Sequence, residues 1–469
     1  MSSHTQEDLN AVIDGIPGRQ LPQIFHVITG FAMAVGVFGF LYGRLFSEVG
    51  TAWTWGSFLV GVVYLLAIAQ GGVIFSVILS GTWANWGRPI KRIAEVLGLF
   101  MIPAYVLLLI FLVGGTGIYV WHPSTIIELD SAMLGSDGTY SLATHSPEAI
   151  ATKAVWLNPI FFVVRQALAV GALLVLDLFY IRASLRPDMM MAKARLGSKA
   201  PAWWDTVIGG KTDLEAEIKS SQWWQEALVP VIAMSFALIF SLVAFDLIMS
   251  LSPWWYSNMF GGWVFASSVW LSLCTVGLIS MVTLDWLGLR KFIKPKVTHD
   301  LGKLMLAFTM FWAYTGFAQL LPIYYADMPE ETDFLLIRLF LPQWAWLAKV
   351  VAVMCFIAPF TVLLSRGIKK MRWPFAGICF FIMVGLFMER SLLIFPSIYF
   401  GEHFPFMEFL FVNITMYIGF MGLLAAFVGR VLTQIPPLVL TDPQLGDHPW
   451  DVHVHSLDAH HSGGHGQGH

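Results

Sequence analysis

Residues 55–81 read WGSFLVGVVYLLAIAQGGVIFSVILSG, without a single Asp, Glu, Lys, Arg or His. A helix of about 20 apolar residues is long enough to cross the hydrocarbon core of a bilayer. Nine further stretches have this character, and because they are continuous apolar runs they predict helices and not the alternating strands of a barrel. The ten predicted spans, numbered 1 to 10 in chain order, are 24–46, 55–81, 95–121, 157–184, 227–252, 260–288, 302–325, 342–365, 374–399 and 406–432.

The composition of the whole chain agrees with this interpretation. Of 469 residues, 57% are hydrophobic and only 12% are charged, whereas soluble domains carry about 25% charged residues. A chain of this length cannot cover a water-facing surface with so few charges, so a soluble enzyme is excluded. The net charge of −3 offers no basic surface for nucleic acid. The predicted fold class is an all-α integral membrane protein.

Basic residues predict how the spans are oriented. Of the 27 Lys and Arg residues, 21 fall in the segments that alternate onto one side of the membrane. The other side holds Arg44, Lys153 and Arg338. Cytoplasmic loops carry the excess of Lys and Arg, so both termini are expected in the cytoplasm.

The segments outside the ten spans differ in character. Residues 1–23 lack the basic and short apolar regions of a cleavable signal, and we expect a cytoplasmic N-terminal segment. The tail 433–469 is rich in His, which suggests either metal binding or, with stronger support, a solvated segment along a partner. The loop 185–226 holds four Trp among basic residues and predicts an element at the headgroup level. The loop 122–156 is polar and acidic.

Spans 2–5 and 6–9 share a weak internal repeat. In each set the third span opens at a proline and carries a basic residue six or seven positions on, and the fourth carries an acidic residue seven positions before a proline. The predicted pairs are Arg165 with Asp246, and Lys349 with Glu389 or a neighbour of Arg390. Such a parallel repeat predicts two four-helix bundles related about the membrane normal. Spans 1 and 10 would flank them.

Ionisable residues inside a span are costly and mark candidate functional sites. Buried pairs that only hold helices together are one interpretation. A quinone site near the outer ends of the spans, or two proton half-channels that meet inside the membrane, is the other. The candidates are Arg165, Asp177, Asp246, Asp285, Gln319, Tyr325, Lys349, Glu389 and Arg390, with Gln70 near the middle of span 2.

Several classes of cofactor lack their motifs. Membrane haem needs paired histidines within helices, and only His26, at the start of span 1, borders a span. Three scattered cysteines without a CxxC pair do not predict an iron–sulfur or zinc site. No Walker A motif is present. We therefore expect that the chain binds no haem or redox metal directly.

Four stretches carry a resemblance to a known family. They are HDLGKLMLAFTMFWAYTGFAQLLPIYYADMPEET (299–332), FDLIMSLSPWWYSNMFGGW (245–263), WGRPIKRIAE (86–95) and MERSLLIFPS (388–397). The chain resembles the ActF-type membrane subunit of Alternative Complex III, also labelled quinone-binding subunit 2, of the NrfD/polysulfide-reductase membrane family. One departure is Leu321-Pro322, where the family more often lacks a proline. A proline there predicts a kink at the outer end of span 7.

The resemblance implies a ten-helix subunit of a quinol:cytochrome c or quinol:acceptor oxidoreductase in the bacterial inner membrane, not catalytic alone. It implies partners that hold the cofactors: an iron–sulfur protein, c-type cytochromes with haem c, an ActC-type sister subunit and a terminal oxidase, besides lipids. The sister subunit is the better candidate for the working quinol pocket, and a quinone such as menaquinone remains a candidate ligand here. It also implies proton translocation through the buried polar residues.

Two other functions are compatible with the same sequence. Parallel repeats and buried charges also occur in secondary transporters, although the Gly pairs at 71–72 and 114–115 do not correspond between the two halves. A subunit that only anchors the complex would have every buried charge paired.

Overall fold

A computed structural model describes residues 3–46, 50–123, 125, 152–398, 405–442 and 445. Of the residues that it describes, 82% are helical and none lies in a strand. Ten helices in it are long and apolar enough to cross a membrane, so the predicted all-α membrane fold class is confirmed. From span 1 to span 10 they are Gln23–Leu45, Gly50–Gly81, Asn85–Gly114, Pro159–Lys199, Leu214–Leu251, Asn258–Val282, Pro295–Ala326, Pro342–Leu364, Arg372–Ser397 and Phe406–Leu432.

The ends of several spans differ from the prediction because helices continue where the apolar run stops. Span 3 starts at Asn85, as a short 3-10 turn followed by the helices Arg88–Leu99 and Met101–Gly114. Spans 4 and 5, with 41 and 38 residues, extend well past the roughly 30 Å hydrocarbon core. A polar or amphipathic stretch stays helical when one of its faces packs against the protein, and hydropathy does not register this.

Spans 2 and 6 form the centre of the molecule. Span 2 has almost every side chain from Trp53 to Val77 buried, and span 6 is buried along most of its length. A helix that is apolar on all sides is expected in a core. Their mutual contact places the middle of the protein at this pair.

The remaining spans surround this pair in two groups. Span 2 forms a closed ring of neighbours with spans 3, 4 and 5, and span 6 forms one with spans 7, 8 and 9. Spans 1 and 10 pack against each other and against span 2.

Small residues allow spans 1 and 10 to approach closely. A Cβ built on Gly36 would lie 2.6 Å from the Cα atom of Gly419, and one built on Gly39 would overlap Thr415. Membrane helices pack through such small residues because lipid gives apolar side chains no reason to associate.

Gly36→Ala is therefore expected to destabilise the pair formed by spans 1 and 10. The added methyl group meets the backbone of span 10, so the helices must separate at their contact, at a cost of about 1–3 kcal/mol. Gly30→Ala in the same helix is the matched control, because a Cβ there has nothing within 4 Å. Thermal unfolding in detergent measures the difference. Equal unfolding temperatures for the two variants would contradict the close contact.

The N-terminal helix, the start of the tail and the loops after spans 2, 4 and 6 meet at one end of the molecule. Lys291 contacts Asp8 of the N-terminal helix Ser3–Asp14. Trp204 donates through its indole nitrogen to the carbonyl oxygen of Gln434, at 2.9 Å. We call this the basic end, since it holds the segments in which the sequence concentrates Lys and Arg. The opposite end holds the helix Pro329–Leu339.

The loop with four tryptophans is largely helical. Its ends continue spans 4 and 5, and a short helix, Trp204–Ile208, lies between them. Trp203, Trp223 and Trp224 are exposed, which fits an element at the headgroup level, whereas Trp204 is fully buried. Most of the loop 122–156 and the His-rich residues of the tail lie outside the described residues.

Candidate functional site

Asp246 lies in a short π-helical segment, Ala244–Ile248, near the end of span 5 that lies away from the basic end. We call this side of the molecule the outer side. The carboxylate is fully buried and accepts three hydrogen bonds. Arg165 donates through Nε at 2.7 Å, Gln166 through Nε2 at 2.6 Å and Trp156 through Nε1 at 3.0 Å. The predicted contact between Arg165 and Asp246 is therefore present, and its charge is well compensated.

Arg165 is held between aromatic rings. Its guanidinium lies 3.9 Å from the ring centre of Trp156 and 4.4 Å from that of Phe161, and it also donates to the carbonyl oxygen of Trp156. Arginine stacks on aromatic faces while its fork binds a carboxylate. This geometry is that of a fixed ion pair.

Glu389 of span 9 occupies the corresponding place in the second group. It is buried, accepts a hydrogen bond from Nε1 of Trp312 at 2.6 Å, and forms an ion pair with the next residue, Arg390. Arg390 also donates to Oγ of Ser267 at 2.7 Å. Asp246 and Glu389, the two outer acids, thus each bind one tryptophan and one arginine. The arginine of the first group comes from span 4, whereas that of the second group comes from span 9 itself.

Lys349 does not take part in this cluster, and the predicted pair with Glu389 is wrong. Span 8 packs inward through Trp344, Leu347 and Val351. Position 349 falls on the opposite side of the helix, so its side chain is exposed on the outer surface of the bundle. Arg390 supplies the cation in its place.

Gln319 and Tyr325 do not gather around the outer acids either. The amide oxygen of Gln319 accepts a hydrogen bond from Ser257 at 2.9 Å, and Tyr325 is 79% exposed. Span 7 continues as a helix through Pro322 to Ala326. The predicted outer residues therefore do not gather at one place: Gln319 binds Ser257, whereas Lys349 and Tyr325 lie on the surface.

Asp285 lies outside the membrane spans, which corrects its predicted position within 260–288. Span 6 ends at Val282, and the side chain of Asp285 is 51% exposed, 2.6 Å from Arg372 and 2.8 Å from Arg290. Hydrogen bonds from Arg372 and Arg290 lower the pKa of this carboxyl below its usual value. It is a surface ion pair of the basic end.

Asp177, by contrast, is fully buried in span 4. Its Oδ1 atom accepts one hydrogen bond, from Nε2 of Gln70 in span 2 at 3.2 Å. Its Oδ2 atom and Oε1 of Gln70 are both buried and have no hydrogen-bond partner within the described part of the chain. No Lys, Arg or His of that part lies within ion-pair distance of Asp177. An ionised carboxylate in this setting is expensive. One added proton on Asp177 would supply the missing donor.

Nearer the basic end, a network of polar side chains connects spans 2, 3 and 4. Glu95 accepts hydrogen bonds from Oγ of Ser76 at 2.9 Å and Oγ of Ser184 at 2.8 Å. Arg92 forms ion pairs with both Glu95 and Asp188. All five side chains are buried, so two carboxylates share one guanidinium inside the protein.

A chain of hydroxyl groups joins this network to the surface. The hydroxyl of Tyr180 lies 3.1 Å from Oγ of Ser76 and 2.9 Å from Oγ of Ser80. Lys91 donates through Nζ to Oγ of Ser80 at 2.9 Å and to Oε1 of Gln225 at 2.7 Å. A hydroxyl both donates and accepts, so such a chain can pass a proton along its length.

The start of the tail covers the end of the hydroxyl chain that lies nearest the surface. Residues 435–440 include four buried apolar side chains. Thr441 donates to Oδ1 of Asp188 through its backbone nitrogen at 2.8 Å and its hydroxyl at 2.6 Å. Asp442 lies 2.6 Å from Arg88. Beneath it is a cavity of about 60 Å³, large enough to hold water.

Sequence reasoning missed this network because it treated Arg88, Lys91 and Arg92 as loop cations. A signal was present, since one helix places residues at i, i+3, i+4 and i+7 on one face. Arg88, Lys91, Arg92 and Glu95 have this spacing, and Asp177, Tyr180, Ser184 and Asp188, at i, i+3, i+7 and i+11, also share one face of their helix.

No protein-family profile and no curated protein matches the chain. Among the described residues, no three His, Cys, Asp or Glu side chains come together as a metal site would require. The geometry of the buried network is therefore the basis for the function.

Proposed function

We propose that the chain is a membrane subunit of a quinol-oxidising respiratory complex of the Alternative Complex III type, and that it carries protons between the basic end and the membrane interior. Asp177 would bind the proton at the inner end of the path. The basic end and both termini would face the cytoplasm of a bacterial cell, in keeping with the excess of Lys and Arg there.

The surroundings of the Asp177 carboxyl are the observation that carries this proposal. A buried carboxyl with a single hydrogen bond and no cation within the described residues is poorly suited to holding helices together. Neutral and protonated, it could donate to Oε1 of Gln70 while it accepts from Nε2, which would satisfy both unpartnered oxygens. Loss of the proton would leave an uncompensated charge inside the protein, so Asp177 is expected to hold its proton at rest.

The hydroxyl chain supports a route from the basic end. Its order from the surface is Lys91, Ser80, Tyr180 and Ser76, with Glu95 at its side. Tyr180 and Asp177 are three residues apart on one face of span 4, a rise of about 4.5 Å. The backbone positions of these two residues are therefore about one helical turn apart.

The pairing of the outer acids supports the assignment of quinol oxidation to another subunit. Asp246 and Glu389 each bind an arginine and a tryptophan, so the hydrogen-bonding capacity of these carboxylates is already used by neighbouring side chains. Quinol oxidation is accordingly assigned to the sister subunit, and electron transfer to the iron–sulfur and haem c partners. These closed pairs also favour the second candidate, a subunit that only anchors the complex; the two candidates differ in what they expect of Asp177.

Purification from native membranes tests the membership of the complex. We expect a tagged chain to copurify with haem c and iron–sulfur proteins, and the preparation to oxidise quinol with an external acceptor. The absorption spectrum and quinol-dependent reduction of the acceptor measure this. A lone, colourless protein that transports a solute would contradict the proposal.

A further inference from the structure

An apolar groove of about 510 Å³ lies between spans 1, 6, 9 and 10, toward the basic end. Its walls are almost entirely hydrocarbon, with Phe25, Leu278, Phe380, Met421 and Val428 among the lining residues. Ligand sites usually have volumes of about 300–1,000 Å³. The groove is therefore large enough for part of a lipid-sized molecule.

The groove opens toward the surroundings of the bundle and not toward its interior. Two lining residues, Val282 and Phe380, are 53% and 51% exposed. They lie on spans whose outward faces meet lipid. A molecule could enter this groove sideways from the membrane.

Arg19 stands at the end of the groove. Its Nη1 atom donates to the carbonyl oxygen of Leu432, a lining residue, at 3.1 Å. Trp286 lines both the groove and an adjoining polar cavity of about 610 Å³ that also contains Arg19. The indole of Trp286 donates to the carbonyl oxygen of Gln20 at 3.2 Å. One site is thus apolar along its length and basic at one end.

Arg19 lacks an anion of its own. In the described residues no carboxylate lies within ion-pair distance, whereas the neighbouring Arg290 and Lys291 are matched by Asp285 and Asp8. Burial lowers the pKa of Arg19 to about 10, so its charged form is under-solvated there. Arginine presents five donors in a planar fork that suits a phosphate, and here the protein uses one.

We propose that this site binds one anionic phospholipid from the leaflet at the basic end, with the phosphate on Arg19 and an acyl chain in the groove. Basic pockets between membrane helices bind anionic head groups in this way. The lipid would fill the space between the pair formed by spans 1 and 10 and the neighbouring spans 6 and 9.

The polar groups of the groove disfavour a quinone. Thr275 and Thr283 are lining residues with hydroxyls, and each donates to a carbonyl of its own helix, at 2.8 Å and 2.7 Å. A quinone head group would need donors for two carbonyl oxygens that lie apart. The site offers one strong donor group, at one end, as a phosphate requires.

Lipid analysis of the purified complex tests the proposal. We expect tightly held phosphatidylglycerol or another anionic phospholipid after washing in detergent, and a roughly tenfold lower retention in Arg19→Ala, since a charge-assisted contact is lost. Arg430→Ala is the matched control, because Arg430 is exposed at the same end and does not line the groove. It should retain the lipid.

A second variant separates the groove from the charge. Ala425 is exposed and lines the groove, so Ala425→Phe should obstruct the acyl chain without disturbing the core, and retention should fall although Arg19 is intact. After delipidation, phosphatidylglycerol should raise the unfolding temperature of the wild type and not of Arg19→Ala, while phosphatidylcholine should raise neither. Equal retention in wild type, Arg19→Ala and Ala425→Phe would overturn the proposal, as would a quinone recovered from the site.

Discussion

Arg92→Met is expected to lower the free energy of unfolding by about 3–5 kcal/mol, the usual cost of removing one partner from a buried ion pair. Arg92 is fully buried and is the shared cation of Glu95 and Asp188. Without it, two carboxylates remain inside the protein with too few donors. Chemical unfolding in detergent, followed by tryptophan fluorescence, measures the loss.

A surface pair at the same end provides the control. Lys193 and Asp205 form an ion pair with side chains 40% and 62% exposed, and such pairs contribute about 0–1 kcal/mol. Lys193→Met should therefore have little effect. The triple variant Arg92→Met, Glu95→Gln and Asp188→Asn should recover part of the lost stability, since the two carboxylates left without Arg92 become neutral, while Lys91 keeps its hydrogen bonds to Ser80 and Gln225. If Arg92→Met and Lys193→Met were equally stable, the network would not hold spans 2, 3 and 4 together.

Asp177→Asn is expected to slow proton uptake from the basic end by about 100-fold or more, because loss of an acid–base group commonly costs 10²–10⁴-fold in proton-transfer steps. The stability should change little. An amide at position 177 has nearly the same size and can still bind Gln70, and no ion pair is broken. Proton uptake by the complex reconstituted in vesicles, followed with a pH-sensitive dye during quinol oxidation, measures the rate.

Two comparisons keep this second prediction specific. Asp285→Asn removes an exposed carboxylate at the same end and should leave the uptake rate unchanged. Asp177→Glu retains the acid and should preserve much of the rate. An Asp177→Asn complex that takes up protons like the wild type would leave the anchor function as the better account.

The spans were predictable because membrane insertion depends on long apolar runs, which a single sequence displays directly. The pair between Arg165 and Asp246 was predictable for a related reason. Two buried opposite charges at similar depth in consecutive spans have few other partners. The repeat also predicted an ion pair for Lys349. The direction of a helical side chain, however, depends on which face of the helix packs inward. In span 8 that face is set by Trp344, Leu347 and Val351.

The network at the basic end could not be found by counting charges. The positive-inside rule treats loop cations as solvent-exposed, yet Arg88, Lys91 and Arg92 begin a helix that is packed on nearly all sides. The rule gives orientation but no information on burial. The part of the tail that covers the network was equally hidden, since Arg88 and Asp442 lie 354 positions apart in the chain.

The proton on Asp177 is the most direct test of the proposed function. Infrared difference spectroscopy detects the carbonyl stretch of protonated carboxyl groups. We predict such a band in the resting complex at neutral pH, and we expect it to shift in heavy water. The band should be absent in Asp177→Asn. It should be retained in Asp285→Asn, because the carboxyl of Asp285 is ionised and does not contribute to it. A spectrum in which Asp177→Asn removes no carboxyl band would contradict the account, because Asp177 would then hold no proton to transfer.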